Sequence, residues 1–408
     1  MVRRSILAFV VGACAWTTPA ATAPDEALYR RNAYALPASP VHANRTENLV
    51  ASHSRADEIW TSKPVKNSDR ASPLRRAETA PDIRYDFGQA KGKTVDDFLS
   101  DQPITGLLIL KDDRILVERY QYERNEMHRF QGQSMTKTVL AMLIGIAIAE
   151  GKLGSVDDLA ETHAPDLRGS EYGRTPLKAL LRMSSGVKFR EDYDGNDDVA
   201  KLHRAVLVDG IAGAAALTQF NERIHPPGAR FNYSSAETQV LAVVLQRKVG
   251  DVSRYLSEKI WQPIGAEAGA AWLAGASGEA GYCCLNATLR DWGRIGRLLA
   301  HDGDWNGREV VPRQWVLDAM SVHSDAPHLA PGNQAGALGY GYQTWLLAGE
   351  RNFVLLGVRG QAVFVDPKDK IVMAMTAVYT SPRPGPAGIE RFALWRGVKA
   401  SIRATAIP

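Results

Sequence analysis

Ser134 and Lys137 are the first residues in this sequence whose types and spacing could do chemistry. They open an apolar run without proline that reaches Glu150 and is followed by Gly151, which predicts a buried helix with a glycine cap. One helical turn places both side chains on the same face. Because a lysine whose pKa is lowered by burial can take the proton of a serine, the pair predicts a nucleophile and its base. The structural alternative is a helix-capping serine beside a solvated lysine.

A second string with the same spacing, Ser185-Gly-Val-Lys188, shows that the spacing alone is a weak signal. Here Gly186 follows the predicted end of a helix, so the backbone turns between the two side chains and they do not share a helical face. We therefore assign the nucleophile to Ser134.

Tyr233 and Val358 are candidates for the rest of an acyl-transfer site. Tyr233 stands in a loop just before a predicted helix, where a phenol can pass a proton between nucleophile and leaving group. Gly357 lets a substrate approach a predicted strand, and the amide of Val358 can hold an oxyanion together with the amide of Ser134. Taken singly, Tyr233 could simply pack and Gly357 could form a β-bulge.

The order and spacing of these groups, over roughly residues 48 to 400, resemble the serine β-lactamases of class C, the DD-peptidases and related esterases. The resemblance implies their fold and a serine acyl-enzyme mechanism. The strings that match the family's three motifs are Ser134-Met-Thr-Lys137, Tyr233-Ser-Ser235 and Leu355-Leu-Gly357.

Within this group the pattern is most similar to the 6-aminohexanoate-dimer hydrolases, on the strings Glu191-Asp-Tyr193 and Gly357-Val-Arg-Gly-Gln361. That similarity implies that Tyr193 is a mobile residue in contact with the substrate, and a tyrosine on a surface loop is the alternative. Asn286 either lines the substrate pocket or caps the helix predicted to start at Thr288, where Asp291 would complete a capping box.

Two departures from the family motifs bear on the substrate. Leu355 stands where β-lactamases and DD-peptidases carry the lysine that holds a substrate carboxylate, and the sequence leaves open whether Arg359 replaces that cation. Ser235 stands in place of asparagine. Hydrolysis of a small amide or ester is therefore favoured over β-lactam hydrolysis or peptidoglycan trimming. A noncatalytic envelope-binding protein on the same scaffold is the alternative from another class.

The predicted elements indicate an α/β protein of the α+β kind, with an antiparallel sheet flanked by helices and a helical subdomain. Strands are expected at both ends of the chain, and helices occupy the middle. The expected strands are 104–110, 115–120, 339–348, 353–357, 362–365 and 371–378, and the expected helices are 134–150, 177–183, 199–221, 236–249, 288–301 and 312–320.

The N-terminal residues predict export to the periplasm. Residues 1–23 have the charged and then apolar layout of a secretory leader, ended either by signal cleavage or by lipidation of Cys14, which would attach the protein to a membrane surface. Residues 24–80 are expected to form an extended segment that wraps the core, and residues 81–408 to form the hydrolase domain.

Composition excludes several classes of protein. The chain has 408 residues, 45% of them hydrophobic, which is enough for a large core, and a net charge of +4 without a basic run gives no indication of nucleic-acid binding. The nine histidines show no metal-binding pattern, so we expect a small-molecule substrate and neither metal nor cofactor. The sequence gives no indication of oligomeric state. Cys283 and Cys284 are expected to be buried free thiols, because adjacent Cα atoms lie closer than a relaxed disulfide allows.

Overall fold

The computed structural model describes residues 23–276 and 278–405. The predicted leader, including Cys14, lies outside the described residues except for its last residue. In the part of the chain that is described, no helix combines the length and apolar character needed to cross a membrane.

An eight-stranded sheet, called the main sheet below, forms the centre of the fold. Its N-terminal hairpin pairs with the C-terminal strands through Ile104–Lys111 and Ile371–Ala377, which confirms the expected antiparallel sheet built from both ends of the chain. Only the edge strand Arg75–Arg76 pairs in parallel. In sheet order the strands are Gly339–Tyr340, Trp345–Leu346, Phe353–Leu356, Ala362–Asp366, Ile371–Ala377, Ile104–Lys111, Arg114–Tyr120 and Arg75–Arg76. The single strand expected over 339–348 is wrong, because the chain turns back within it and forms two short strands that pair with each other.

Helices cover both faces of the main sheet. Leu108 and Leu110 face the helix Leu289–Ala300 in the larger core, whereas Leu107 and Ile109 belong to a second core, which includes Leu394 and Trp395 of the helix Gly385–Ala404. Because successive side chains of a strand point to opposite faces and both faces are buried, these strands are continuously apolar. The helix Gly385–Ala404 was not predicted, since prolines and glycines at its start have the composition of a loop.

The helices predicted between the two ends of the sheet are found, with one exception. Met135–Ala149 and Ser235–Val249 confirm two predicted helices, and Gly151 has the positive φ of a helix-terminating glycine. The single helix expected over 199–221 is wrong. Gly210, with φ +64°, lies in the break between its pieces, which are Asp198–His203, a π-helical turn Arg204–Val208 and Gly213–Leu217.

A second sheet, the small sheet, was not expected. It contains Ser62–Val65, Ala270–Gly275, Leu285–Ala287 and Phe130–Gln131, with Gly278–Glu279 paired to its side. Its strand Ser62–Val65 comes from the segment 24–80. The helix Leu49–Ser54 of the same segment is buried throughout. This segment is therefore more than a wrapping strand, because it supplies a strand and a buried helix.

The remaining elements are short. The other α-helices are Glu26–Arg30, Val95–Asp101, Ala160–His163, Leu177–Leu181, Val252–Leu256 and Arg313–Ala319, a π-helical turn spans Ser257–Trp261, and two hairpins pair Arg84–Phe87 with Ala90–Thr94 and Asp304–Trp305 with Arg308–Glu309.

The two adjacent cysteines correct an expectation from the sequence. Cys283 and Cys284 form a disulfide with each other, with their Cα atoms 3.7 Å apart, instead of remaining free thiols. Cys284 has a φ of +81°, and this turn conformation brings the two neighbouring side chains to the same side of the chain.

Candidate active site

Ser134 lies in the turn between a strand of the small sheet and the helix Met135–Ala149. Strand Phe130–Gln131 ends just before it, and the helix Met135–Ala149 begins just after it, with Ser134 at the N-cap position. Gly132 donates its N–H to the carbonyl of Leu285 at 2.8 Å, and Gln133 takes the left-handed conformation at φ +49°. The turn leaves the Ser134 side chain half-buried at the positive end of the helix dipole.

Lys137 contacts Ser134 as the helical spacing predicts. Its Nζ lies 3.2 Å from Ser134 Oγ, 3.0 Å from Ser235 Oγ and 2.7 Å from the carbonyl oxygen of Tyr282. The residue is only 1% exposed. Burial lowers the pKa of Lys137 to about 8, against an opposing effect of the Glu191 carboxylate. A substantial fraction of this lysine is therefore neutral near physiological pH, as a general base requires.

Glu191 is a member of this site to which the sequence analysis assigned no function. Its carboxylate accepts hydrogen bonds from the main-chain N–H of Ser235 at 2.7 Å, from Ser235 Oγ at 2.9 Å and from the phenol of Tyr193 at 2.7 Å. Its appearance beside Tyr193 in the matched string was the one available signal. Tyr282, which offers its main-chain carbonyl, gave no signal in the sequence.

Tyr233 lies over the same cluster. Its ring stacks on Trp345 with centroids 5.5 Å apart, and Lys137 Nζ lies 5.1 Å from the ring centroid. Burial raises the pKa of the Tyr233 phenol well above its usual value, and Glu191 adds to this effect, whereas a hydrogen bond with Ser134 opposes it. The phenol therefore keeps its proton near neutral pH and is available as a donor.

Gly357 and Val358 lie beside the nucleophile, after the strand Phe353–Leu356. Both line a cleft that also contains Ser134. A Cβ atom on Gly357 would lie 2.6 Å from the Gly132 carbonyl oxygen, so the missing side chain makes room for the turn that carries Ser134. The close approach predicted at Gly357 is thus made by the protein's own backbone.

Tyr193 lies on a loop beside the Glu191 carboxylate. Tyr193 has a φ of +63°, and its phenol donates a hydrogen bond to Glu191. The Cζ atom of the Arg383 guanidinium lies over the Tyr193 ring, 5.3 Å from the ring centroid. Tyr193 lines both clefts described below, and its contact with a substrate stays a prediction.

Asn286 is placed away from the clefts. It is fully buried in the small sheet, and its amide donates to the carbonyls of Ala271 and Cys284. The predicted contact with substrate is corrected to a structural one within the small sheet. The helix is capped by Thr288, which accepts the N–H of Asp291, so Asn286 is not the cap either.

Leu355 does not occupy a position from which a cation could reach a substrate. Its side chain is 1% exposed and packs in the larger core, whereas the next residue, Leu356, faces a cleft. Arg359 does line a cleft, but its guanidinium donates to the main-chain carbonyls of Tyr379 and Thr380. The third motif lies on the strand Phe353–Leu356, but the motif alone does not show which face of that strand is buried.

Two clefts meet at Ser134, Glu191, Tyr193 and Val358. The first, with a volume of about 510 Å³, is bounded by the small sheet and the N-terminal segment, and the second, about 440 Å³, by the helix Gly385–Ala404. Apolar groups form much of each wall. Residues specific to the first include Trp60, Val199, Leu273, Tyr282 and the Cys283–Cys284 disulfide, and those specific to the second include Tyr233, Trp345, Leu356, Ile389 and Phe392.

Arg391 is a buried cation in the second cleft. The residue is 8% exposed, and its Nε and Nη1 atoms have no hydrogen-bond partner among the described residues. Burial lowers the pKa of Arg391 to about 10, which still leaves it charged at neutral pH. Since a buried charge is normally paired, this position is suited to an anionic group of a bound molecule.

Comparison with known proteins finds similar chains among hydrolases. The chain is 26% identical over 348 residues to the 6-aminohexanoate-dimer hydrolase of Paenarthrobacter ureafaciens, a match covering 80% of this chain and 85% of the relative. A Bacillus anthracis structure provisionally named a 6-aminohexanoate-dimer hydrolase superposes with a TM-score of 0.79 at 22% identity, covering 90% of this chain and 97% of the other. A D-stereospecific amidohydrolase from Streptomyces superposes with a TM-score of 0.53 at 17% identity, covering 75% and 96%.

The model of the β-lactamase family matches residues 93–394, which include Ser134, Lys137, Glu191, Tyr233 and Val358. The predicted family and fold are thereby confirmed, and the chain belongs to the β-lactamase family of hydrolases.

Proposed function

We propose that this protein is a serine hydrolase that cleaves a small linear amide or ester through an acyl-enzyme on Ser134. The observation that carries the proposal is the 3.2 Å contact between Ser134 Oγ and the buried Lys137 Nζ, at the junction of two clefts. Lys137 takes the hydroxyl proton while Ser134 Oγ attacks the substrate carbonyl carbon. The amides of Ser134 and Val358 hold the resulting oxyanion.

Collapse of this intermediate breaks the bond to the leaving group, which receives its proton from the Tyr233 phenol. Tyr233 recovers a proton from Lys137. Water then attacks the acyl-enzyme, giving up a proton to the Lys137 and Tyr233 pair, and Ser134 leaves with a proton as the carboxylic acid is released.

The position of Tyr233 supports an orientation for the substrate. Tyr233 lines only the second cleft, so the leaving group occupies that cleft and the acyl part occupies the first. Arg391 favours a leaving group with a carboxylate at its far end. A dimer of 6-aminohexanoate, the substrate in the relatives' name, has apolar methylene chains on both sides of its amide and releases an amine with a carboxylate, which supports this substrate class.

A labelling and hydrolysis experiment tests the proposal. A fluorophosphonate probe should label the wild type at Ser134, and the purified protein should hydrolyse linear ω-amino acid amides and short p-nitrophenyl esters faster than nitrocefin or D-Ala-D-Ala peptides. Faster turnover of nitrocefin or of the peptides would favour a β-lactamase or a DD-peptidase. Absence of both labelling and turnover would favour a noncatalytic envelope-binding protein.

We also propose export to the periplasm, on the leader sequence of residues 1–23. Fractionation of cells that express the full chain tests it. Retention of a Cys14→Ser variant in the soluble periplasm, with the wild type in the membrane fraction, would support a lipid on Cys14.

A further inference from the structure

A chain of hydrogen bonds connects Lys137 with the buried carboxylate of Glu191. Lys137 Nζ lies 3.0 Å from Ser235 Oγ, which in turn lies 2.9 Å from Glu191 Oε1. The second carboxylate oxygen, Oε2, accepts the main-chain N–H of Ser235 at 2.7 Å. Glu191 therefore binds Ser235 at two points and fixes the orientation of its hydroxyl.

The direction of these bonds decides where the lone pair of Lys137 can point. A hydroxyl has one hydrogen, and in Ser235 it is donated to the carboxylate, so Ser235 presents a lone pair to Lys137. The carbonyl of Tyr282 can also only accept. A neutral lysine amine has two hydrogens and one lone pair. Its hydrogens satisfy Ser235 and Tyr282, and the lone pair is left for the Ser134 hydroxyl.

We propose that Glu191 is a positioning residue, which acts through Ser235 to hold the lone pair of the Lys137 amine on the Ser134 hydroxyl. This inference rests on the proposed function of Ser134 as the nucleophile. Glu191 also acts on Lys137 through its charge. Two consecutive hydrogen bonds keep its Oε1 within about 6 Å of Nζ, a range in which an opposite charge favours the protonated amine and raises its pKa.

Of the groups around this chain whose pKa is shifted by burial, all but one change charge outside the range from pH 6 to 9. Burial raises the pKa of each neighbouring tyrosine far above this range, and it lowers the pKa of the histidine to about 4. The exception is Glu237, two residues along the helix from Ser235, whose pKa burial raises to about 8. The tyrosines are Tyr193, Tyr233 and Tyr282, and the histidine is His203. Two further charged groups adjoin the chain of hydrogen bonds: Arg383, which donates to the main-chain carbonyl of Glu191, and Asp197, which accepts the N–H of Tyr193.

The test measures the rate of fluorophosphonate labelling of Ser134 between pH 5.5 and 10, because this rate needs no natural substrate. In Glu191→Gln the new amide can donate to Ser235 Oγ, whose hydrogen then turns toward Lys137 and competes for its lone pair. We expect the plateau rate to fall about 10- to 100-fold, the effect of one charge-assisted hydrogen bond. We expect the midpoint of the profile to move down by about one pH unit, because the neighbouring negative charge is gone.

A double-mutant cycle separates this effect from a general loss of structure. Ser235→Ala should slow labelling as much as Glu191→Gln, and the two changes together should cost little more than one alone, since each interrupts the same chain. Ser235→Thr keeps the hydroxyl and should restore most of the rate. Glu237→Gln is the matched control, because it removes a buried carboxyl that binds Ser185 and titrates in the same pH range without contacting Lys137.

The outcomes distinguish this inference from the proposed function. A wild type that is not labelled at Ser134 contradicts the function itself. A labelled wild type with an unchanged rate and midpoint in Glu191→Gln, or with additive losses in the cycle, overturns the positioning by Glu191 and leaves the function intact. If Glu191→Gln does not fold, equal labelling rates in Ser235→Ala and Ser235→Thr overturn the inference.

Discussion

Gly357 lies directly against Gly132, although the two residues follow strands of different sheets. A Cβ atom on Gly357 would lie 2.6 Å from the carbonyl oxygen of Gly132 and 2.9 Å from the Cβ of Gln133. The strand end that offers the amide of Val358 and the turn that carries Ser134 therefore fix each other's position.

Gly357→Ala should displace the Ser134 turn and lower kcat/KM about 100-fold, because small misplacements of a reacting group cost about this much. Steady-state kinetics and thermal unfolding check this. Gly106→Ala is the control, since the nearest atoms to its added methyl group belong to the side chains of Leu289 and Thr376, and it should lower stability without this loss of activity.

Ser134→Ala should abolish turnover and covalent labelling while nearly preserving the melting temperature. Ser185→Ala is its matched control. Ser185 Oγ donates to Glu237 and accepts the N–H of Val187, so its loss should lower the free energy of unfolding by about 1–3 kcal/mol and leave labelling in place. Labelling retained in Ser134→Ala would show that another nucleophile reacts.

Catalysis should increase with pH through a midpoint of about 8, because Lys137 must lose its proton to accept that of Ser134. The pH profile of kcat/KM checks this value. Lys137→Met should lower kcat/KM by about 10²–10⁴-fold. In the unfolded protein Lys137 keeps its proton up to about pH 10.4, whereas in the folded protein its pKa is about 8. The free energy of unfolding of the wild type should therefore rise between about pH 8 and 10 relative to that of Lys137→Met. A midpoint that stays near 8 in Lys137→Met would contradict the assignment.

Tyr233→Phe should slow amide hydrolysis more than hydrolysis of p-nitrophenyl esters. An amine must receive a proton as it leaves, whereas p-nitrophenolate departs without one. Comparing kcat/KM for an amide and an ester with the same acyl group measures the difference, and equal losses on both would show that Tyr233 contributes packing alone.

Arg391→Met should weaken discrimination in favour of a substrate with a terminal carboxylate by about 10-fold or more, measured against the same substrate with its carboxylate capped as an amide. Because the guanidinium is buried and its Nε and Nη1 have no partner among the described residues, the same change should leave the melting temperature unchanged or raise it. Arg383→Met is the control, since its side chain is 64% exposed, and it should alter this discrimination less.

The sequence by itself determined those features of the protein that depend on neighbouring residues. Ser134 and Lys137 meet because a helix sets their separation, so the spacing was enough to predict the contact. The apolar strands of the main sheet and the hairpin at Asp112 were predictable for the same reason, since strand and turn preferences act over a few residues.

Tertiary structure decided everything that brings distant residues to Lys137. Ser235 and the carbonyl of Tyr282 lie 98 and 145 residues further along the chain, and Glu191 reaches Ser235 across 44 residues. The burial of Leu355 beside the exposed face of Leu356 depends on which side of the main sheet the helices cover. Arg391 lines the second cleft because the helix Gly385–Ala404 packs on the face of the main sheet opposite the helix Leu289–Ala300. The backbone conformation of a helix or turn is set by residues a few positions apart. These contacts depend instead on how whole helices and sheets bury their apolar faces against one another.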